Sequence, residues 1–357
     1  MNRLKSLKKF WKGKKVFLTG HTGFKGTWMS IFLSLIGAKV IGYSLKPDSS
    51  ENFYDIVKSN KLIYKSIFGD IRDYDKLKRS IQKFSPDFIV HMAAQSLVKE
   101  SYYNPKYTYE VNTLGTMNIL NILNEVDFIK SALIITTDKV YFNNNKKKFL
   151  KEEDLLGGLD PYSNSKSCAE LMVNSYSNSF FKKKKIFVST ARAGNVVGGG
   201  DFSKNRIVPD YFRSLVNDEK LIVRSPNSIR PWQHVLDPLY GYILLLIKLH
   251  KKQVHIGSSF NLGPSLINNK PVNKVIDLLN KNFDNKVKII VNKKKEFNES
   301  RVLLLNSDKF KKQFNWKPKY NLEQSIQLTS EWFKEFTYNK NKNILKFSRK
   351  QIIDYLN

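Results

Sequence analysis

A chain of 357 residues, 41% of them hydrophobic, can bury one large core or two interleaved ones. Its single cysteine, Cys168, excludes a disulfide framework and a cysteine-built zinc site, and fits a reducing compartment. The formal charge of +30 raises nucleic acid as a partner, but the lysines are spread over the whole chain. The local runs at 143–149, 181–186 and 292–297 lack interleaved aromatics, so they read as solvated surface that helps attract a small anion.

The basic N-terminus leads into no apolar stretch of signal-peptide length. The longest uncharged apolar run, 238–247, is about half of what a bilayer requires. A cytoplasmic protein is therefore expected, with no membrane and no nucleic acid as partner.

From the start, short apolar runs alternate with helical stretches, the pattern of a parallel sheet covered on both faces. The first predicted strand, 16–19, runs into "GHTGFKG", which opens a helix over 26–36. Gly20, Gly23 and Gly26 permit a tight turn, close approach of a pyrophosphate, and close packing of helix on sheet. The phosphates would sit on the helix N-terminus. The second strand, 39–43, has no acid at its tip to hold a ribose hydroxyl pair. Asp48 comes too late, and Lys46 suits a ribose phosphate, so the choice between NAD and NADP stays open.

After the third strand, 64–68, "GDIRD" places Asp70 and Ile71 where an adenine edge would lie; a helix over 74–84 and a strand over 88–91 follow. That fourth strand ends in "HMAAQS", whose His91 reads as a packed core histidine. After a helix over 105–124, the strand 132–136 ends in "TTDKVY", with a hydroxyl, a carboxylate and an amine in succession at Thr137, Asp138 and Lys139. In "DPYSNSKSCAE", Tyr162 and Lys166 lie four residues apart near the start of a helix over 162–181, hence on one face. The ammonium one turn away is expected to lower the phenol's pKa. A strand over 187–191 follows. Gly- and Pro-rich loops then break the alternation, before one more strand in "SSFNLG" and a basic, mainly helical tail.

Taken in order, "GHTGFKG", "HMAAQS", "TTDKVY", "DPYSNSKSCAE", "RAGNVVGGGDF" and "IRPWQHV" resemble the extended short-chain dehydrogenase/reductases that act on sugar nucleotides, and within them most closely the CDP-glucose 4,6-dehydratases. The resemblance covers almost the whole chain. It implies an α/β fold, a Rossmann-type doubly wound parallel sheet with a smaller discontinuous C-terminal substrate-binding lobe. Residues 11–193 and 236–264 would form the first part, and 194–235 and 265–345 the second. It implies NAD as cofactor with NADP not excluded, a nucleotide-sugar substrate, no metal, and a homodimer or homotetramer paired through the helices at 105–124 and 162–181.

Carried over residue by residue, the resemblance assigns Gly20, Thr22, Gly23, Phe24, Gly26, Asp70, Ile71, Ala93, Ala94, Tyr162 and Lys166 to the cofactor. Gln95, Ser96, Asn195, Arg206 and Arg230 go to the substrate, with Trp232 packed beneath the nucleotide loop. Tyr162, helped by Thr137 and Lys166, would deprotonate the hydroxyl at carbon 4. Lys139 would take the carbon 5 proton, and Asp138 would protonate the departing carbon 6 hydroxyl. Two departures stand out: the segment 143–156 carries lysines where relatives carry an aromatic patch, and Asn306 stands where an acid is expected. These leave open which nucleotide sugar is accepted; a dehydratase or epimerase for another sugar nucleotide, or a non-catalytic nucleotide- or RNA-binding protein, are the competing readings.

Overall fold

The computed structural model describes residues 3–49, 51–143, 148–284, 286–292, 300–339 and 343–357. Parts of two lysine runs, 144–147 and 293–297, lie outside the described residues.

Seven strands build the main sheet: β1 (Lys15–Thr19), β2 (Lys39–Ser44), β3 (Lys65–Phe68), β4 (Phe88–His91), β5 (Ser131–Ile135), β6 (Phe187–Ala193) and β7 (Ser258–Leu262). They lie in the spatial order β7-β6-β5-β4-β1-β2-β3. Every neighbouring pair is parallel. The order reverses at β1, which opens a crevice beyond the carboxyl ends of β1 and β4, where such sheets bind ligands.

Strand periodicity divides the core. Val16, Leu18, Val40, Phe88, Val90, Leu133 and Ile135 face one side, while Phe17, Ile41, Tyr43, Ile89, Ala132 and Ile134 face the other. The first side packs against the helices Phe24–Leu35 and Leu236–His250. The second packs against Tyr74–Phe84, Gly115–Glu125 and Pro161–Tyr176. The first core runs on without a break into the later segments, through Trp332, Phe333, Ile352 and Tyr355.

Two local features differ from the sequence expectation. The helix expected over 105–124 is one rod whose middle, Glu110–Leu114, widens to π geometry. Directly after it, Gly115 lies so close to β3's loop that a Cβ there would sit 2.7 Å from Ile71 Cγ2, which requires glycine. An N-terminal helix, Arg3–Trp11, was not foreseen among the lysines; its Leu7 and fully buried Trp11 anchor it to the core.

The lysine-bearing segment after β5 is fastened at its far end. Phe149–Leu150 pairs in parallel with Leu304–Leu305, and Leu150, Leu303 and Leu305 pack with Val140 and Tyr141 in a small separate cluster. The tail thus holds the segment that borders the crevice.

Candidate active site

The loop after β1 is a cradle shaped by its glycines. Gly20 has φ 76°, and a Cβ there would lie 2.7 Å from Ala93 N on the neighbouring β4 loop. At Gly26 a Cβ would fall 2.0 Å from Gly20 O, so only glycine lets the helix start this close to the turn. Gly23 is different: it is exposed, and a Cβ would meet nothing nearer than Gly20 O at 3.5 Å. The helix it caps has no side-chain cap and no acid in its first turn, so its leading amides are available to an anion. A dinucleotide diphosphate fits this donor set. Thr22 ties the cradle to the end of β2, with its hydroxyl 2.8 Å from Ser44 Oγ and donating to Leu45 O at 3.0 Å. Phe24 lies partly buried beside Gly198, and Ala93 N donates to Thr19 Oγ1 at 3.1 Å.

On the other side of the crevice, β5 ends in a short 3-10 turn, Asp138–Val140, capped by Thr137. The Thr137 hydroxyl donates to Asp138 Oδ1 at 3.1 Å, and Lys139 Nζ donates to the same oxygen at 3.3 Å. Asp138 is fully buried, and its Oδ2 has no hydrogen-bond partner among the described residues. The Lys139 side chain is 30% exposed at the mouth of the site. Facing this turn is the start of helix Pro161–Tyr176. Asp160 caps it by accepting from Ser163 N at 2.9 Å, and proline occupies the first helical position, which fixes where Tyr162 stands.

Tyr162 is buried, and its phenol shares a hydrogen bond with Thr137. Burial raises its pKa, opposed by the charges of Lys139 and Arg206 and by the Thr137 contact, while Asp138 adds to the rise. This corrects the expected lowering by Lys166. That ammonium donates instead to Ile135 O at the tip of β5, 3.1 Å away, and the cations acting on the phenol are Lys139 and Arg206. Lys166 itself is pushed down to about 8, by burial first and by the charge of Lys25 second.

The remaining predicted residues divide. Arg206 reaches into the site between Asp201, 3.0 Å from its Nη1, and Ser96, whose hydroxyl accepts from Nη2 at 2.9 Å. Asn195 keeps a buried Oδ1 that has no partner among the described residues. Gln95 is turned away from a sugar: its amide donates to Leu97 O and Thr108 Oγ1, and its carbonyl accepts from Leu97 N. Folded inward, it holds the loop after β4, and only Ser96 of that pair stays near the cleft.

Asp70 is occupied by Arg72, which also bonds Glu110. These guanidinium hydrogen bonds outweigh burial and hold the carboxyl below its usual range. Ile71 is buried against Gly115. Arg230 is largely buried and donates to the main chain at Ile229 and Arg301, 3.0 and 3.4 Å away. Trp232 is buried, with its indole donating to Lys270 O. His91 is indeed packed, with Thr19 and Thr116 on its two ring nitrogens.

Sequence reasoning missed three groups. Lys25, inside the quoted glycine motif, turns into the site; the signal was its being the only charge in the helix "FKGTWMSIFLSL". Tyr242, on helix Leu236–His250, is fully buried beneath the site, where burial, then the charges of Tyr162 and Asp138, raise its pKa far above the usual range. Glu170, one turn beyond Lys166, forms a buried pair with Arg192 at 2.9 Å and binds the hydroxyls of Thr136 and Thr190. No sequence pattern marks that pairing, because its partners lie on β6 and just past the end of β5, far from the helix that carries Glu170. Among the described residues, no group of three or more His, Cys, Asp or Glu side chains gathers that could hold a metal ion.

The family model described as GDP-mannose 4,6 dehydratase matches residues 17–329. The chain belongs to that family. Within reach of this dehydratase family, a curated relative from Salmonella typhimurium, CDP-glucose 4,6-dehydratase, is 39% identical over 354 residues, 98% of each chain. The human dTDP-D-glucose 4,6-dehydratase is 25% identical over 343 residues, 93% of each chain. Among solved structures, dTDP-glucose 4,6-dehydratase from Bacillus anthracis in complex with NAD aligns with a TM-score of 0.75 at 24% identity, covering 94% of this chain and 100% of that one. UDP-glucose 4-epimerase from Thermotoga maritima aligns with a TM-score of 0.77 at 20% identity, covering 90% and 99%. Dehydratases and epimerases of sugar nucleotides thus share this fold.

Proposed function

We propose that the protein is a CDP-glucose 4,6-dehydratase, a hydro-lyase that uses NAD. The observation that carries the reading is the cluster at the tip of β5: a buried carboxylate with one free oxygen, an amine at its mouth, and a phenol bonded to the intervening hydroxyl. Removing water across carbons 5 and 6 needs a base and an acid besides the group that opens carbon 4. An enzyme that only removes and returns one hydride needs no such pair.

When bound in the glycine cradle, a nicotinamide dinucleotide supplies a transient hydride acceptor. Tyr162 takes the proton of the carbon 4 hydroxyl, with Lys139, Thr137 and Arg206 favouring its phenolate. The resulting ketone acidifies carbon 5, where Lys139 accepts the proton. For this, one proton first passes from Lys139 to Asp138 across their 3.3 Å contact; the neutral amine then takes the carbon 5 proton, the carboxylic acid gives its proton to the carbon 6 hydroxyl, which leaves as water, and the ion pair is restored. Arg206, Ser96 and Asn195 hold the sugar nucleotide, and Lys166 orients the dinucleotide from the β5 tip.

The relative's substrate supports cytidine as the base, and its length of match supports an unaltered architecture. The product, a 4-keto-6-deoxy sugar nucleotide, suits reductases and transaminases that build deoxysugars of a surface polysaccharide. A cytoplasmic location fits that role, and no helix among the described residues is long and apolar enough to cross a membrane. Leu114 and Leu171, 47% and 56% exposed on the helices expected to pair, fit a homodimer or homotetramer.

The test is incubation with CDP-, dTDP- and UDP-glucose and GDP-mannose, followed by the alkaline ultraviolet absorbance of a 4-keto-6-deoxy product. Product from CDP-glucose at the highest kcat/KM is expected. Faster turnover of another base would reassign the substrate, and no product from any of them would overturn the dehydratase reading.

A further inference from the structure

Behind the turn that carries Asp138 and Lys139 lies a polar network that touches none of the reacting atoms. Its centre is the buried pair of Glu170, on helix Pro161–Tyr176, and Arg192, on β6. Glu170 accepts from the hydroxyl of Thr136, the residue before Thr137. Arg192 donates to the hydroxyl of Tyr141, the residue after Val140, at 2.7 Å, and its guanidinium lies 5.0 Å from that ring's centroid. Tyr141 is 1% exposed and donates in turn to Asn261 Oδ1 at 2.6 Å. Asn261 then donates to Leu150 O at 3.1 Å and to Asn306 O at 2.9 Å, which joins the network to the segment bordering the crevice and to the tail. Both flanks of the acid–base turn thus end on one ion pair. A fold requirement alone does not account for it, since an apolar pair of similar volume would hold the core at no greater cost. What the charged pair adds is direction, through hydrogen bonds of fixed geometry at each end of a three-residue turn.

We propose that Tyr141 is a positioning residue for the elimination step: with Thr136 it clamps the Asp138–Val140 turn onto the Glu170–Arg192 pair and so sets where Asp138 and Lys139 stand. The inference rests on the dehydratase reading and assigns a role to residues outside the reacting set. The opening of carbon 4 depends less on the clamp, because Tyr162 is placed by its own helix, through the Asp160 cap and Pro161. Water loss depends on it fully, since both the acid and the base ride on the clamped turn. Glu170 has a second effect, opposing the lowering of Lys166 that burial and Lys25 impose, so replacing Glu170 would disturb two things at once. Tyr141 and Thr136 are the cleaner probes, because their replacement leaves that carboxylate in place. In Tyr141→Phe the ring keeps its packing against Val140, Leu150, Leu303 and Leu305, and Arg192 keeps Glu170 and Glu152 O.

The experiment compares the full-length protein with Tyr141→Phe, Thr136→Val and, as a control, Tyr355→Phe. The control also removes a buried phenol hydroxyl, one that donates to Asp237 Oδ1 at 3.0 Å away from the turn. Two measurements are made: rapid mixing of NAD-loaded protein with CDP-glucose, following reduced nicotinamide by its near-ultraviolet absorbance, and hydrogen exchange of the peptide spanning residues 136–142 without ligand. Tyr141→Phe and Thr136→Val are each expected to lower kcat about tenfold to a hundredfold, the scale of a small misplacement of catalytic groups, with KM near the wild-type value. In both, reduced nicotinamide accumulates, because carbon 4 is still oxidised while water loss lags. Exchange in the 136–142 peptide quickens in both, and Tyr355→Phe matches the wild type in both measurements. A kcat for Tyr141→Phe within about twofold of the wild type, a loss of rate without accumulation of reduced nicotinamide, or unchanged exchange at the turn would each overturn the inference. A wild type that forms no 4-keto-6-deoxy product would remove the dehydratase reading, and with it the role in elimination, while quickened exchange in the two variants would still support the clamp itself.

Discussion

Replacing Arg192 by methionine isolates the buried pair behind the site. Arg192 and Glu170 have side chains 3% and 1% exposed. The guanidinium donates to both carboxylate oxygens at 2.9 Å and to the hydroxyl of Tyr141 at 2.7 Å. Methionine fills similar space but leaves Glu170 buried with only the hydroxyls of Thr136, Thr190 and Ser259. Removing one partner of such a pair costs about 3–5 kcal/mol, because the other charge stays buried and uncompensated. For a chain of this size that corresponds to a fall in unfolding temperature of about 4–7 °C.

The pH dependence has a definite sign. In the wild type, burial would raise Glu170, but Arg192 and the hydroxyls hold it below its ordinary value of 4.5. Its contribution is present above that value and is lost as pH falls through the lowered folded pKa. In Arg192→Met only the hydroxyls still oppose the burial effect, so the folded variant takes up a proton in weak acid, and its deficit shrinks as pH falls from about 8 to about 5. The double variant Glu170→Met/Arg192→Met, with an apolar pair in place of an ionic one, regains most of the loss. Calorimetry of the three proteins across that range checks this. A deficit under about 1 kcal/mol, or one independent of pH, would refute the reasoning.

Three further outcomes are expected. Lys139→Ala keeps NAD affinity in a binding titration but lowers kcat by about 10²–10⁴, the usual worth of a positioned base; unchanged turnover removes Lys139 from the reaction. Gly26→Ala puts a Cβ 2.0 Å from Gly20 O, so unfolding calorimetry should show a loss of about 1–3 kcal/mol together with weakened NAD binding, and wild-type values would contradict the cradle's geometry. Asp237 is raised from 3.8 to about 7 by burial, against hydrogen bonds from Lys319 N and Tyr355. The folded protein therefore holds a proton that the unfolded chain has lost, and stability falls as pH rises between those values. Asp237→Asn should flatten that slope in melts from pH about 4 to about 8, whereas an unchanged slope would place its origin elsewhere.

The strands, the glycine cradle and the helix bearing Tyr162 and Lys166 were legible because each is written locally. Apolar runs of strand length, turn glycines and a four-residue spacing need no knowledge of distant segments. The N-terminal helix was hidden, since a lysine-rich stretch reveals its buried face only when Leu7 and Trp11 meet the core. Gln95 was misplaced for a related reason: an amide beside a strand end looks available until the loop around it folds inward onto Thr108. Sequence also named Lys166 as the phenol's electrostatic partner, since they share a helix face.

What the chain determined by itself is the order of elements and the chemical kinds of group at the end of β5, because backbone propensity and side-chain identity travel with the sequence. What only the folded structure decided is which charges face one another. Lys25, Lys139 and Arg206 converge on one crevice, Lys166 turns to Ile135 O, and Arg192 meets Glu170. Electrostatic energy falls with distance and rises with burial, and both are set by packing between segments far apart in the chain.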